Sequence, residues 1–245
     1  MPYSMKKITL FSALLLILSL AAFKNLHAQE GIKIGFRASP LIGWATTVDD
    51  STKTKPDGLT NKAGLGFSFD FVLTYGLTES VAFRTGINIA SKSAKSEVNS
   101  VVEILGTTTT TNLTSRVNFT AVEIPLGLKF RSPEIGTGLY VVGHFGVNAE
   151  INLQNRIFNE GSTVVEGGGT TISTTIDEEF VDVDGIRPFT ASFVPGVGVD
   201  WEFDWGMVEM GLTYHWGLLS FTDPDKFGGQ RSRLNYLALN LGYFF

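Results

Sequence analysis

Apolar residues in this chain recur every second position, not every third or fourth. Between Gly64 and Tyr75, one set holds Leu65, Phe67, Phe69, Phe71, Leu73 and Tyr75. The other holds Gly64, Gly66, Ser68, Asp70 and Thr74, with Val72 the one apolar exception. Val208, Met210, Leu212, Tyr214, Trp216 and Leu218 alternate in the same way with Glu209, Gly211, Thr213, His215 and Gly217. The chain closes on Leu237, Leu239, Leu241, Tyr243 and Phe245, again at alternate positions. A two-residue period belongs to a β-strand with two unlike faces. Wound as helices, these segments would carry apolar residues on all sides. The pattern predicts eight strands, at about 31–44, 63–76, 80–91, 116–131, 138–153, 188–203, 206–219 and 233–245.

The connections alternate in length. Gly76-Leu77-Thr78-Glu79, the turn around Ser132-Pro133-Glu134, and Asp204-Trp205 are short, whereas 45–62, 92–115, 154–187 and 220–232 are long and polar. Even strand number with segregated loop lengths is the pattern of outer-membrane barrels, short turns inside and long loops outside. The expectation is therefore an all-β chain, an eight-stranded antiparallel transmembrane β-barrel with short periplasmic turns and long extracellular loops.

Charge agrees with that assignment of faces. The apolar faces carry no charge near mid-strand, and the opposite faces carry Asp70, Arg84, Glu123, Lys129, Glu150, Asp200, Glu202, Glu209 and His215, with Lys33 and Arg37 from the first strand. An Arg or Lys facing lipid at the midplane costs about 2–4 kcal/mol. These residues are expected to form a structural charge network in a narrow lumen filled by side chains. Its carboxylates outnumber its cations. Glycines at inward positions, among them Gly35, Gly86, Gly127, Gly146, Gly198 and Gly211, are expected to leave room for the bulky charged groups. Tyr75, Phe130, Trp201, Trp205, Tyr243 and Phe245 on the short-turn side, with Trp44, Trp216 and Phe221 toward the long loops, read as interfacial girdles. A soluble lipocalin-like barrel, with the faces reversed, is the alternative.

Lys6 and Lys7, an apolar run from Ile8 to Phe23 and a small residue at Ala28 read as a cleaved signal peptide over 1–28, leaving a barrel domain over 29–245. The run is shorter than the roughly 20 residues of a membrane-spanning helix. Absence of cysteine removes disulfides, thiolate metal sites and lipoprotein attachment. A net charge of -5 argues against nucleic acid as a partner. His144 and His215 both point inward by alternation, and with a carboxylate could bind metal; as neutral hydrogen-bonders they need none. Asp182 and Asp184 in Asp182-Val183-Asp184-Gly185 are weak Ca²⁺ candidates, because the full ligand pattern is missing. The third loop reads as a solvated acidic segment, and the second, with Thr107 to Thr111 in a row, as mobile and polar. No catalytic residue and no cofactor is expected, and no nucleophile or phosphate-cradling motif is present.

Val122-Glu123-Ile124-Pro125-Leu126-Gly127-Leu128-Lys129-Phe130 resembles a strand of the PorT-like outer-membrane barrel proteins of Bacteroidetes, together with Gly86-Ile87-Asn88-Ile89 and the ending Leu241-Gly242-Tyr243-Phe244-Phe245. Only the Val122–Phe130 strand is specific, and Gly127 stands there where leucine is usual. The resemblance implies an eight-stranded barrel in the outer membrane of a Gram-negative bacterium, with Tyr243 and Phe245 as an insertion signal read by barrel-insertion machinery. It leaves the activity open, because a fold hosts many functions. Glu123 and Lys129 share the inward side, too far apart to pair, so each needs a partner on another strand, with Arg84 and Glu150 as candidates. Pro125, which cannot donate a ladder bond, predicts a local bulge. Four functional classes stay open: a membrane scaffold contacting lipid and, through its loops, proteins or glycans; a pore or PorT-like secretion component; a membrane enzyme, which would need Ser, His and an acid clustered at one rim; and a soluble ligand-binding barrel.

Overall fold

The computed structural model describes residues 31–48, 59–104, 107–167, 170–177, 181–182, 185–226 and 231–245. The signal-peptide segment and Asp184 lie outside them, and Asp182 enters only through its backbone pairing with Arg156. The elements, all strands, are β1 (Ile32–Val48), β2 (Leu59–Gly76), β3 (Val81–Ile104), β4 (Thr107–Arg131), β5 (Leu139–Gly167), β6 (Thr170–Asp177), β7 (Val181–Asp182), β8 (Phe189–Phe193), β9 (Gly196–Phe203), β10 (Gly206–Gly217) and β11 (Arg231–Phe244). β1 pairs with both β2 and β11, which closes the sheet. β8 and β9 are two halves of one wall strand between β5 and β10, interrupted at Val194-Pro195, where proline breaks the ladder. The result is an antiparallel ring of eight strands, with β6 and β7 attached to β5 outside it.

Burial follows the alternation. Leu65, Phe67, Phe69, Ile87, Ile89, Leu126, Leu212, Leu239 and Leu241 are exposed on the outside, while Asp70, Arg84, Glu123, Lys129, Glu150, Asp200 and Glu209 are buried within. A water-soluble barrel has the opposite arrangement. Apolar outside and charged inside is the solution for lipid. On β4 the apolar outward face runs from Phe130 to Val122, with Thr120 next in phase. Ten residues at the usual strand tilt give about 25 Å of height, the band expected of an outer-membrane barrel.

Five expectations change. The second long loop is extended β-structure: β3 continues to Ile104, and β4 begins at Thr107, with Ser100 to Ile104 laddered onto Thr107 to Thr111. The third carries the rest of β5 together with β6, paired from Glu160↔Asp177 to Gly167↔Thr170. The far ends of β3, β4 and β5 and the whole of β6 thus form a sheet beyond the barrel. These residues lack apolar alternation because no membrane covers either face, yet backbone hydrogen bonds do not depend on it.

Pro125 sits in no bulge. Thr85↔Leu126 and Asn88↔Glu123 flank it without change of register, and Pro125↔Asn148 continues the β5 ladder. The missing N–H is absorbed by two unpaired steps opposite Gly86 and Ile87, and the register shifts fall instead at Thr120/Ala121 and Ala63/Phe67. Phe221 is no girdle residue but is buried edge-on to Phe119 at 5.0 Å. Finally, a Cβ at Gly127 would lie 2.6 Å from the Phe145 carbonyl oxygen, with Gly146 meeting the Leu126 carbonyl in return. These glycines let two strongly curved strands approach, and the nearest neighbours are backbone, not charged side chains.

Candidate functional site: the charged lumen

Three tiers of polar side chains fill the barrel. At the short-turn rim, Lys33 donates to Glu202 at 2.6 Å and Arg131 reaches the same carboxylate at 2.8 Å, its guanidinium stacked on Tyr140. Both pairs remain partly exposed, so each contributes little to stability. Above them Val72, Met207 and Phe244 form an apolar layer, which accounts for Val72, the inward position that broke the alternation on β2.

The second tier centres on Glu209. It accepts hydrogen bonds from Arg84 and, at 2.6 Å, from Lys129, and lies 3.8 Å from Arg37. Arg37 turns its Nε to Asp70 at 2.5 Å, and Lys129 also reaches Asp200 at 2.8 Å. β1, β2, β3, β4, β9 and β10 each supply one of these charges, so the tier ties most of the ring together. Lys129 thus finds its partners across the lumen, and not in Glu150.

The third tier surrounds Glu123, which is wholly buried. Lys92 donates to Glu123 and Glu150, each at 2.7 Å. Asn88 and Asn148 donate to Glu123 at 3.0 and 2.9 Å, and the Tyr236 hydroxyl at 3.0 Å. Ser192 and Thr190 donate to Glu150 at 2.7 and 3.1 Å. His215 stacks on Tyr236 with ring centroids 3.9 Å apart, and its Nδ1 lies 3.3 Å from Asn148. Arg84, the expected partner of Glu123, belongs to the second tier.

Lys92 and Tyr236 were missed by sequence reasoning, as was Arg131. With Lys92 and Arg131 included, the lumen holds, among the described residues, six cations (Lys33, Arg37, Arg84, Lys92, Lys129, Arg131) and six carboxylates (Asp70, Glu123, Glu150, Asp200, Glu202, Glu209). The apparent excess of carboxylates disappears.

Between the second and third tiers a chain runs from Ser39 to Asn240 at 2.8 Å, Asn240 to Thr213 at 2.6 Å, and Thr213 to His144 at 3.0 Å. Beside it lies a cavity of about 40 Å³, bordered by Arg37, Asp70, Arg84, Asn88, His144 and His215. Arg84 Nε and Nη1, Asp70 Oδ1 and Asn88 Oδ1 are buried without a protein partner. A space of that size takes about two or three waters, which donate and accept as this mixed set requires. Among the described residues no group of three or more His, Asp or Glu is arranged to hold a metal ion.

A closed antiparallel ring with an apolar exterior and a neutralised ionic interior defines a transmembrane β-barrel. The chain belongs to the outer membrane protein beta-barrel domain family, whose model matches residues 26–223. It is similar in fold to OprG of Pseudomonas aeruginosa, at 11% identity and a TM-score of 0.44, over 89% of this chain and 97% of that one. It is also similar to Ail, the attachment invasion locus protein of Yersinia pestis, at 12% identity and a TM-score of 0.28, over 88% and 99%. No protein of curated function matches the chain.

Proposed function

We propose that this protein is a non-conducting outer-membrane scaffold whose working surface lies beyond the barrel, on the side of the long strands. The observation that carries the reading is the lumen: six cations and six carboxylates cross-link the wall in three tiers, with an apolar layer of Val72, Met207 and Phe244 near the short-turn end. Moving an ion through it requires breaking buried pairs, each of which leaves an uncompensated charge. The projecting sheet of β3 to β6 offers exposed Val101, Val102, Ile104 and Ile172 among threonines and serines, a surface suited to protein or glycan partners. On this reading the protein works without catalysis. Residues 1–28 act as a cleaved signal peptide, and Tyr243 and Phe245 are read by the insertion machinery.

Within the family, the Val122–Phe130 strand supports placement near the PorT-like barrels of Bacteroidetes, and with it a role as a static component of a secretion assembly. That role is compatible with a plugged lumen. The test is conductance: purified protein in planar bilayers should show no steady channel current, and a reproducible ohmic current would refute the scaffold reading in favour of a pore.

A further inference from the structure

β6 is the last strand of the projecting sheet, and its second edge is bare. Among the described residues its strand partner is β5 alone, in unbroken register from Glu160↔Asp177 to Gly167↔Thr170. The chain that leaves β10 runs beside β8 and climbs as far as Asp223, which donates to the Gly185 carbonyl at 2.7 Å. That contact lies below β6, and Thr171 to Thr175 are all exposed.

Hydrogen-bond phase identifies the groups at that edge. Two residues separate Gly167 from its partner Thr170, and two separate Ile104 from Thr107. A connection that short closes on a pair that exchanges both backbone hydrogen bonds. Counting from either hairpin gives one answer: Ile172 and Thr174 turn their N–H and C=O toward Val165 and Thr163 of β5. Thr171, Ser173 and Thr175 therefore aim theirs away from the sheet. Such an edge is a template for another strand, and proteins blunt it with Lys, Pro or a bulge. Thr170–Asp177 has none of the three, and its one charged residue is the terminal Asp177. Its threonines and isoleucines favour extended chain.

The rows of the sheet specify what a fifth strand must carry. On the face that continues the lumen wall, Val102, Thr109, Val165 and Ile172 stand side by side, and Ser100, Thr111, Thr163 and Thr174 form the next row. The first row is β-branched throughout and the second hydroxyl-bearing throughout. An added strand meets Ile172 and Thr174 in pairs without backbone hydrogen bonds, where side chains lie closest and where like pairs such as Thr with Thr stabilise. We infer that the bare edge of β6 is a docking site for an extended segment of another protein, bound by strand addition and carrying Ser or Thr and a β-branched residue at alternate positions. A second copy in the same membrane fits poorly. It stands the same way up, and a two-fold axis along the membrane normal sets two strands tilted by about 40° across each other, not alongside. The inference rests on the scaffold reading above and names the class of partner for its working surface.

The full chain, folded in detergent, would be titrated with a fluorescent synthetic peptide of the sequence Thr170–Asp177. Laid antiparallel to β6 about Thr174, this peptide meets Ile172 with isoleucine and Thr174 with threonine. Binding should saturate, and should be lost when the peptide is N-methylated at its Ser173 and Thr175 positions, which leaves every side chain unchanged. Ser173→Pro in the protein removes one edge donor and no bond to β5, and should weaken binding about tenfold while keeping the heat-dependent gel shift. Val101→Pro, the matching change at the β3 edge, should leave binding unchanged. The N-methylated peptide supplies the readout should S173P fail to fold. Equal binding of the methylated peptide, or unchanged binding in folded S173P, would overturn the site. Tighter binding to S173P would overturn it too, by showing the peptide displacing β6 from β5. Equal loss in V101P would replace it with a general loosening of the sheet, and a protein dimer that the peptide dissociates would replace the foreign partner with a second copy. A channel current with peptide binding intact would refute the scaffold reading alone, and a silent bilayer with no binding would refute the edge alone.

Discussion

Replacing Lys92 with methionine should be the most damaging conservative-volume change in the barrel. The Lys92 ammonium is 2% exposed, 2.7 Å from a carboxylate oxygen of Glu123 and of Glu150, and 4.9 Å above the Tyr236 ring. Glu123 and Glu150 are cross-strand partners in register, so their carboxylates stand about 5 Å apart. With the ammonium gone, they repel by about 3 kcal/mol at an effective dielectric constant near 20. Each also loses a charge-assisted hydrogen bond, partly offset for Glu123 by Asn88, Asn148 and Tyr236 and for Glu150 by Ser192 and Thr190. The net loss should fall at about 3–5 kcal/mol, the range for breaking a buried ion pair from one side. The triple variant K92M/E123Q/E150Q removes the cation together with both anions and should recover most of that loss. Equilibrium urea unfolding in lipid vesicles, followed by tryptophan fluorescence and by the heat-dependent gel shift, measures both. A K92M barrel within 1 kcal/mol of wild type, or a triple variant weaker than K92M, would refute the argument that charge compensation holds this tier together.

Tyr236→Phe keeps the stack on His215 but removes a hydroxyl donor 3.0 Å from Glu123; the same unfolding assay should show a loss of about 1.5 kcal/mol, as for a hydrogen bond to a charged group. Gly127→Val should abolish the heat-shifting folded form, because its Cβ would sit 2.6 Å from the Phe145 carbonyl. Gly143→Ala should fold like wild type, since its nearest neighbour is 3.9 Å away. Equal behaviour of the two glycine variants would show that strand approach is not what glycine provides in this wall.

The wall was legible in the sequence because lipid imposes one rule on every outward residue. Phe67, Phe69 and Phe71 obey it, and so do Leu237, Leu239 and Leu241, so strand identity and facing direction could be read within the membrane. Beyond the membrane the rule lapses. Thr107 to Thr111 pair with Ser100 to Ile104 through backbone groups alone, and nothing in their side chains announces a strand. Pro125 misled for a related reason: an unpaired donor predicts a bulge in isolation, whereas a continuous ladder on the β5 side and a side-chain-free Gly86 on the other let the ring keep its register.

Lys92 was lost at that same boundary, since Ser91 and Ser93 end the outward apolar run on β3 and the strand seemed to stop one residue too soon. Two signals pointed to it nonetheless. The inward phase of β3 runs through Arg84, Gly86, Asn88 and Ala90, and its next member is Lys92. The second signal is neutrality. A narrow lumen cannot carry six inward carboxylates, five of them buried, against four cations, because uncompensated buried charge costs several kcal/mol for each ion. An imbalance in the inward-facing charges was therefore evidence that inward cations had not yet been counted. Carrying the strand phase two residues past the last apolar position on β3, and to the final residue of β4, reaches Lys92 and Arg131 and restores the balance. In barrels of this kind the inside, not the outside, fixes how far each strand must be followed.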